Sequence, residues 1–301
     1  MKVYTLNEYL RDTYGEKIYK LAIDAGFTCP NRDGTVGTGG CTFCSEGGSG
    51  DFARRLVKDY SDNEVAAIIE SGKEHLAGKY HGNRFIAYFQ AYTNTYAPVE
   101  KLRDLYRAFL NRDEIAGLSI GTRPDCLPDD VIALLDELQK EYPDKFIWIE
   151  LGLQSANEET ARRINRGYAN DVFEKAMSEL ASIGIKTVIH VIIGLPGEGK
   201  EDVLETVRFV SKYKPFGVKL QLLHVLKGTA LEREYNEGKF EVLSMDEYLD
   251  ILEACLEELP EGTVVHRMTG DGPKRILVAP MWSADKKKVI NAVNKMISGG
   301  D

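Results

Sequence analysis

The chain has 301 residues, of which 43% are hydrophobic, 28% are charged and 9% are aromatic. The apolar fraction lies near the ~45–50% usual for globular domains, which excludes a disordered, collagen-like or coiled-coil protein. The 38 Lys and Arg residues stand against 47 Asp and Glu residues, a net charge of −9 that argues against general nucleic-acid binding, because phosphate contacts need local positive charge.

The N-terminus and the cysteines indicate a cytoplasmic protein. The first eight residues, MKVYTLNE, are polar and charged, and no apolar signal core follows them. We find no run of ~18 apolar residues, the length that a membrane-spanning helix requires. Five cysteines are an odd number for a chain of this length, which disfavours a secreted disulfide scaffold. Clustered cysteines are therefore expected to bind metal or to act in catalysis.

Short apolar runs alternate along the chain with longer stretches of helical periodicity. The predicted strands are 17–24, 84–90, 117–122, 146–153, 186–193 and 218–225. The predicted helices are 62–77, 99–110, 128–140, 171–183 and 202–213. Six such alternations indicate parallel strands joined by crossover helices, with strands buried on both faces. This α/β pattern fits a barrel and an open doubly wound sheet, and periodicity does not separate the two.

The pattern changes after about Val225. A helix over 245–259, with Ser244 as its predicted cap, precedes a strand over 263–268. A loop containing Gly and Pro and an amphipathic helix over 284–297 follow. We therefore predict a barrel unit over 1–228 and an α+β extension over 229–301 that packs on the barrel.

Three cysteines directly after the first predicted strand form the strongest chemical signal. Cys29, Cys41 and Cys44 fall within sixteen residues of a loop that holds four glycines. A Cys-x-x-Cys pair allows two thiolates to reach one metal centre, and a third thiolate completes a three-point clamp. A structural zinc usually has four protein ligands. By spacing alone, an iron–sulfur cluster, a zinc loop and a redox dithiol remain open.

This loop, with an aromatic residue inside its last pair (Cys41-Thr42-Phe43-Cys44), resembles the cluster loop of the radical S-adenosylmethionine (SAM) superfamily. The superfamily's commoner spacing is Cys-x3-Cys-x2-Cys, whereas eleven residues separate Cys29 from Cys41 here. The longer spacing is similar to that of the YhcC-like branch, which is related to the radical SAM core of the elongator catalytic subunit. Further matching segments are YFQAYTNTYAP (88–98), GTRPDCL (121–127), ELGLQSANEETARRINRGY (150–168), IGLPGE (193–198) and HRMTGD (266–271).

The resemblance implies a partial (β/α)6 barrel of the TIM type and an enzyme with an unidentified substrate. In such enzymes three thiolates hold a [4Fe–4S] cluster, and SAM binds the open iron. An electron from the cluster, supplied by a donor such as flavodoxin or ferredoxin, cleaves SAM reductively to a 5′-deoxyadenosyl radical that abstracts hydrogen from the substrate. Cys29, Cys41 and Cys44 are then the expected cluster ligands, and Phe43 shields the cluster.

The resemblance also implies which residues bind SAM and which face the substrate. The expected SAM-binding residues are Gln90, Thr93, Glu150, Gln154, Ser155, Arg162 and Gly194. Possible substrate residues are Arg123, Asp125, His266 and Arg267, with Asp271 beside the last two. A helix-capping turn is the structural alternative for Arg123 and Asp125. His190 and His224 lie in apolar strands, where we expect histidines of the core.

The charge is unevenly distributed along the chain. Residues 263–297 contain seven basic and two acidic residues, a net charge of +5. This strip and the elongator relationship suggest a substrate hypothesis, an RNA base such as one in tRNA, and a solvated helix face is the structural alternative. The alternative function is a non-catalytic RNA-binding module stabilised by zinc or an iron–sulfur cluster.

Overall fold

The computed structural model describes residues 2–48, 50, 52–56, 60–76, 82–270 and 272–299. The strands are β1 (Tyr19–Asp24), β2 (Arg54–Arg55), β3 (Phe85–Phe89), β4 (Ile115–Thr122), β5 (Phe146–Gln154), β6 (Lys186–Ile193), β7 (Gly217–Leu222), β8 (Val225–Leu226), β9 (Val264–Arg267) and β10 (Leu277–Ala279). The helices are α1 (Leu6–Tyr14), α2 (Asp62–Leu76), α3 (Val99–Leu110), α4 (Asp129–Glu141), α5 (Glu158–Arg163), α6 (Asn170–Ser182), α7 (Lys200–Ser211), α8 (Ala230–Asn236), α9 (Met245–Glu258) and α10 (Lys286–Ile297). The helix predicted over 62–77 corresponds to α2, and its predicted last residue, Ala77, lies outside the described residues.

Eight strands form one parallel sheet in the order β2-β1-β3-β4-β5-β6-β7-β9. All six predicted strands lie in this sheet in sequence order, each joined to the next by a segment that carries a helix. The structure therefore confirms the α/β class and the partial barrel. Among the described residues the two outermost strands, β2 and β9, do not pair with each other, so the sheet is open.

The core explains why these segments adopt these elements. β3 and β4 are buried along their whole length, as the apolar runs predict for strands covered on both faces. The outer layer consists of amphipathic helices, of which α3 is an example because it buries one stripe against the sheet. That stripe is Leu102, Leu105, Tyr106, Phe109 and Leu110.

Helix α1, which the periodicity did not predict, packs at the amino ends of the strands. Thr5 caps it through a capping box with Glu8, and Tyr9 and Leu10 are buried. Tyr9 contacts Trp148 at the start of β5, with ring centroids 6.0 Å apart, and Phe216 just before β7, at 4.8 Å. This aromatic group packs helix α1 against the amino ends of the strands.

The segment after residue 228 contributes to the main sheet and to the main core. β9 pairs with β7 through Val218 and Val265, and the main-chain N–H of Val265 donates to the carbonyl of Tyr4 at 2.8 Å. Helix α9 begins at the predicted Ser244 cap and places Cys255 in the main core. β8 and β10, which were not predicted, form a separate antiparallel pair. Among the described helices, none is both long enough and apolar enough to cross a membrane.

Candidate functional site

A cavity of about 270 Å³ lies at the carboxyl ends of the central strands. Loops at these ends converge in parallel α/β folds, which makes this edge the usual place for a site. Nine of the residues expected to hold cluster, SAM or substrate line it: Cys29, Cys41, Cys44, Gln90, Thr93, Arg123, Glu150, Gln154 and Arg267. Residues more than 230 positions apart in the sequence thus line the same cavity.

The three predicted ligands of the cluster come from the loop after β1 and face this cavity together. All three cysteines are half-buried residues that line the cavity, and none forms a disulfide. Burial raises the pKa of Cys41 to about 12, and the nearby thiols of Cys44 and Cys29 add to the shift. The Cys41 thiol therefore lies close enough to the other two thiols to be influenced by both.

Polar side chains hold the cysteine loop in place. Asn31 is buried and donates to the Cys41 sulfur at 3.8 Å and to the Asn165 carbonyl at 2.6 Å. The Arg32 guanidinium donates to the carbonyls of Cys44, at 3.0 Å, and Ser45, at 2.6 Å. The loop is therefore anchored to the segment after α5 and to its own last turn, which fixes where the thiols point.

Within the described residues, no group of three or more His, Cys, Asp or Glu side chains is arranged to hold a single metal ion. A [4Fe–4S] cluster presents a different iron atom to each thiolate, so its ligands surround the cluster and need not converge on one point. The donor set, three soft sulfur atoms on one wall of a cavity, fits such a cluster.

A buried arginine lies next to the cysteines. Arg123 is 8% exposed, and its Nε and Nη2 atoms donate to Asp125 at 2.8 and 2.7 Å. Its guanidinium also donates to the Arg166 carbonyl at 2.9 Å and stacks over Tyr168 at 4.8 Å. Burial lowers the pKa of Arg123, but the hydrogen bonds that it donates to Asp125 outweigh this effect and raise the pKa, so the side chain stays charged.

Two glycines on inward-facing strand positions leave room for a ligand. A Cβ atom on Gly152 would lie 2.5 Å from Nε2 of Gln154, and one on Gly121 would lie 3.1 Å from the Phe89 carbonyl. Gln154 itself has φ of +65°, which turns the chain at the end of β5. The strand ends thus form a cradle that side chains would fill.

Five expected site residues do not line this cavity: Ser155, Arg162, Gly194, Asp125 and His266. Ser155 is buried and donates to Glu198, Arg162 is exposed on α5, and a Cβ atom on Gly194 would lie 3.0 Å from the Leu243 side chain. Asp125 lines a second cavity beside Cys126, and its carboxylate accepts hydrogen bonds from Arg123.

His266 lies at the other end of the sheet. Its ring packs against Trp148, with centroids 5.4 Å apart, and Phe216, at 5.6 Å, among the aromatic residues near α1. The expectation that it closes the mouth over substrate therefore has no support in its position. Asp271, expected beside it, lies outside the described residues.

Glu150 is the centre of a polar group inside the sheet that sequence reasoning missed. Its carboxylate is fully buried and accepts from Lys20 at 2.6 Å, Ser119 at 2.5 Å and His190 at 2.7 Å, and also from Lys219. Although burial raises the pKa of Glu150, the two lysines and His190 hold it well below its usual value. The carboxylate is thus ionised and fully occupied by protein donors.

His190 is a partner of Glu150 as well as a cavity residue, and its titration gives a testable pH dependence. Burial and the Lys219 charge lower the pKa of His190 to about 4, although Glu150 opposes the shift. Between pH ~6.5 and ~4 the unfolded chain binds a proton at this ring that the folded protein does not, so stability falls as the pH falls through this range.

We expect His190→Gln to flatten this dependence. Urea unfolding at about pH 7 and about pH 5 measures it, and the loss of unfolding free energy between the two should be smaller in the variant. His266, whose pKa burial also lowers, contributes with the same sign to both proteins and cancels in the difference. Equal losses in the two proteins would contradict the assignment.

Comparisons of this chain with family models and with known proteins agree on one family. A family model described as the radical SAM superfamily matches residues 31–210, and one described as the radical SAM C-terminal domain matches residues 215–298. The uncharacterized protein YtqA of Bacillus subtilis is 44% identical over 98% of this chain and 89% of its own length. Protein YhcC of Escherichia coli K12 is 35% identical over 91% of this chain and 85% of its own length.

Solved structures are similar in fold at low sequence identity. The archaeal Methanocaldococcus infernus Elp3 has a TM-score of 0.66 and 19% identity, covering 93% of this chain and 64% of that one. Methylornithine synthase, PylB, has a TM-score of 0.55 and 13% identity, covering 98% of this chain and 86% of that one. The chain therefore spans slightly less than two thirds of the Elp3 structure.

Proposed function

Because the chain belongs to the radical SAM superfamily, we propose that it is an enzyme that binds a [4Fe–4S] cluster through Cys29, Cys41 and Cys44 and SAM in the adjoining cavity. The matches confirm the predicted family and its YhcC-like branch. Enzymes of this superfamily typically bind both groups and need an electron donor. When bound, the two cofactors supply one-electron chemistry that the protein's own side chains cannot provide.

One observation carries the proposal: three thiols of a single loop line the same cavity as the glycine-lined ends of β4 and β5. Backbone at Gly121 and Gly152 gives a flat ligand close access, and Gln90, Thr93 and Gln154 provide polar atoms along the wall. We assign these three side chains to SAM. Ser155, Arg162 and Gly194 are left out because they do not line the cavity.

Arg123 has a separate proposed role. It influences both Cys29 and Cys41 electrostatically and stays charged through Asp125. A fixed positive charge beside three thiolates favours their ionised, ligating form. Substrate contact is therefore assigned to the inner part of the cavity, where Arg267 lies, and not to Arg123.

The proposal is tested on protein reconstituted with iron and sulfide without oxygen. We expect brown protein with about four iron atoms and four sulfides per chain, as one [4Fe–4S] cluster requires. With SAM and dithionite it should form methionine and 5′-deoxyadenosine. A colourless zinc protein that forms neither product would overturn the proposal and would support the alternative metal-stabilised binding module.

The hypothesis that the substrate is an RNA base rests on one observation. Lys286, Lys287 and Lys288 are exposed in the first turn of α10, and Lys286 lies 5.4 Å from the ring of Phe52 at the cavity. Cationic and aromatic side chains together are the groups that retain single-stranded nucleic acid. The basic strip predicted over residues 263–297 is shorter in the structure, since Arg267, the first basic residue in it, lines the cavity.

Changing Lys286, Lys287 and Lys288 together to Glu should abolish retention of tRNA if this surface binds RNA. Filter binding or a gel-shift assay at fixed salt measures the effect, because phosphate contacts depend on ionic strength. The matched control changes Lys140, Lys175 and Lys239 to Glu, since these are 74%, 68% and 59% exposed and the change in net charge is the same. Equal retention by both variants, or none by the wild type, would remove the RNA hypothesis.

A further inference from the structure

An exposed aromatic side chain lies at the edge of the cavity, close to the cysteine loop. Phe52 lines the cavity together with Cys29, Cys41 and Cys44, yet it is 55% exposed. A single exposed apolar residue needs no explanation in a folded protein, but apolar residues with a polar rim mark an interaction site. The neighbours of Phe52 therefore decide whether it belongs to such a site.

Cationic and apolar side chains from two distant parts of the chain lie near Phe52. Arg54 and Arg55 follow it in β2, the strand at the edge of the sheet. The ammonium group of Lys286, the first residue of α10, lies 5.4 Å from the Phe52 ring centroid, and Ile290, one helical turn later, is 49% exposed. These residues and the next two lysines of α10 are all exposed, and we call them the basic rim: Phe52, Arg54, Arg55, Lys286, Lys287, Lys288 and Ile290.

The charges of the basic rim do not stabilise the elements that carry them. The three lysines occupy the first turn of α10, where the helix dipole disfavours each cation by roughly 0.3–1 kcal/mol, and this turn holds no acidic residue besides the cap at Asp285. Arg54, Arg55, Lys287 and Lys288 form no ion pair with a described residue. Charges on an edge strand do prevent pairing with another chain, but this does not account for the lysines beside them. A contact with an anionic partner accounts for both groups.

The position of the basic rim points to a partner that serves the cysteine loop. Phe52 belongs both to the rim and to the cavity in which we place the cluster. The proposed chemistry consumes an electron that a separate donor has to supply, and the donor has to approach the cluster closely. Electron-transfer proteins form small, weak interfaces, and complementary charge directs their encounter. Because this chain has a net charge of −9, it repels an acidic protein everywhere except at a local basic surface.

We infer that the basic rim is the docking surface of an acidic protein that carries single electrons. The exposed side chains of Phe52 and Ile290 form its apolar centre, and the arginines and lysines form its polar edge. The inference rests on the proposed function and assigns a surface to its electron donor. One electron passes from the reduced carrier to the cluster, so that the carrier is oxidised and the cluster is reduced, and no bond forms or breaks in this step.

Single-stranded RNA is the other anionic partner that combines cationic and aromatic contacts. Two features favour a protein on the basic rim. Ile290 is aliphatic and offers no flat face on which a base stacks, whereas it suits the apolar centre of a protein interface. The proposed chemistry also requires an electron donor whatever the substrate is.

The test measures binding of two acidic carriers, a flavodoxin and a ferredoxin, to the reconstituted protein by calorimetric titration at low salt. The test variant is Arg54→Glu/Arg55→Glu, because neither arginine is among the residues that line the cavity. The matched control is Lys140→Glu/Lys175→Glu, at positions 74% and 68% exposed on α4 and α6, which changes the net charge by the same amount.

We expect wild type and control to bind at least one carrier, and the arginine variant to bind it about tenfold more weakly, since like charges in contact cost several kcal/mol. The difference should shrink at about 0.5 M salt, which screens exposed charges. Phe52→Ala keeps every charge and should also weaken binding, so it decides the matter should the arginine variant not fold.

Product formation gives a second readout. With the reduced carrier as donor, 5′-deoxyadenosine formation by Arg54→Glu/Arg55→Glu should fall along with the affinity. With excess dithionite, which needs no docking surface, the amount formed should equal that of wild type. A loss with the carrier alone therefore separates docking from the chemistry of the site.

Equal affinity in wild type and test variants, or binding of neither carrier, would overturn the inference. Loss of tRNA retention by Arg54→Glu/Arg55→Glu with unchanged carrier binding would also overturn it, and would assign the basic rim to RNA. A protein that holds about four iron atoms and forms 5′-deoxyadenosine with dithionite, but binds neither carrier, would refute the docking surface and leave the proposed function intact.

Discussion

The Cys44→Ala variant, reconstituted without oxygen, is expected to hold less than a tenth of the wild-type cluster and to form no measurable 5′-deoxyadenosine. Each of the three thiols is the proposed ligand of one of the four iron atoms. The two thiolates that remain in the variant would leave one of these three iron atoms without its protein ligand. The loop contains no cysteine besides these three, so it cannot supply a substitute sulfur. Iron and sulfide analysis, the visible spectrum and product formation with SAM and dithionite measure the loss.

Cys255→Ala is the matched control for this prediction. Cys255 is fully buried in α9 and does not line the cavity, so its removal changes the cysteine count by the same number without touching the proposed ligands. It should retain full iron and sulfide. An intact cubane in Cys44→Ala, or equal loss in both variants, would refute the ligand assignment.

Replacing Glu150 by Gln should destabilise the folded protein by about 3–5 kcal/mol, the usual effect of removing one partner of a buried charge pair. Glutamine keeps the size of the side chain but leaves Lys20 and Lys219 without a neutralising charge inside the sheet. Urea unfolding at neutral pH, read by the fluorescence of buried Trp148, measures the effect.

Two comparisons make this prediction specific. Glu137→Gln removes a surface carboxylate that pairs with Arg103 and Arg107 and is 43% exposed, and it should cost at most about 1 kcal/mol. The double variant Glu150→Gln/Lys219→Met removes one negative and one positive charge together. It should be more stable than the sum of the single effects predicts, by about 0.5–3 kcal/mol. Additive effects would show that Lys219 and Glu150 are not energetically coupled.

Much of the fold was predictable because the central strands carry a strong local signal. The predicted segment 186–193 coincides with β6, and 99–110 coincides with α3, since an apolar run or a helical stripe alone defines each. Helix α1 was missed because its buried contacts, Tyr9 and Leu10, are few and its cap at Thr5 precedes a polar segment. The sheet position of β9 depends on pairing between residues about 47 positions apart, which no local pattern encodes.

The proposed ligands were visible in the sequence, but the polar group around Glu150 was not. Cysteine spacing is a local property, whereas Lys20, Glu150 and Lys219 are isolated charges within apolar strands and meet only when the sheet curves. A signal did exist, because a charged residue inside a buried strand must find a partner. His190, expected as a core histidine, is such a partner and lines the cavity as well.

The contact between Tyr4 and Val265 joins the two ends of the sheet-forming chain. On a ribosome, the segment that carries α1 is made about 260 residues before its neighbour in β9. Helix α1 and the aromatic group around Trp148 therefore cannot reach their final packing until β9 has been made. During that interval the aromatic group at the amino ends of the strands is incomplete, so we expect a nascent chain to depend on chaperones until β9 has been made.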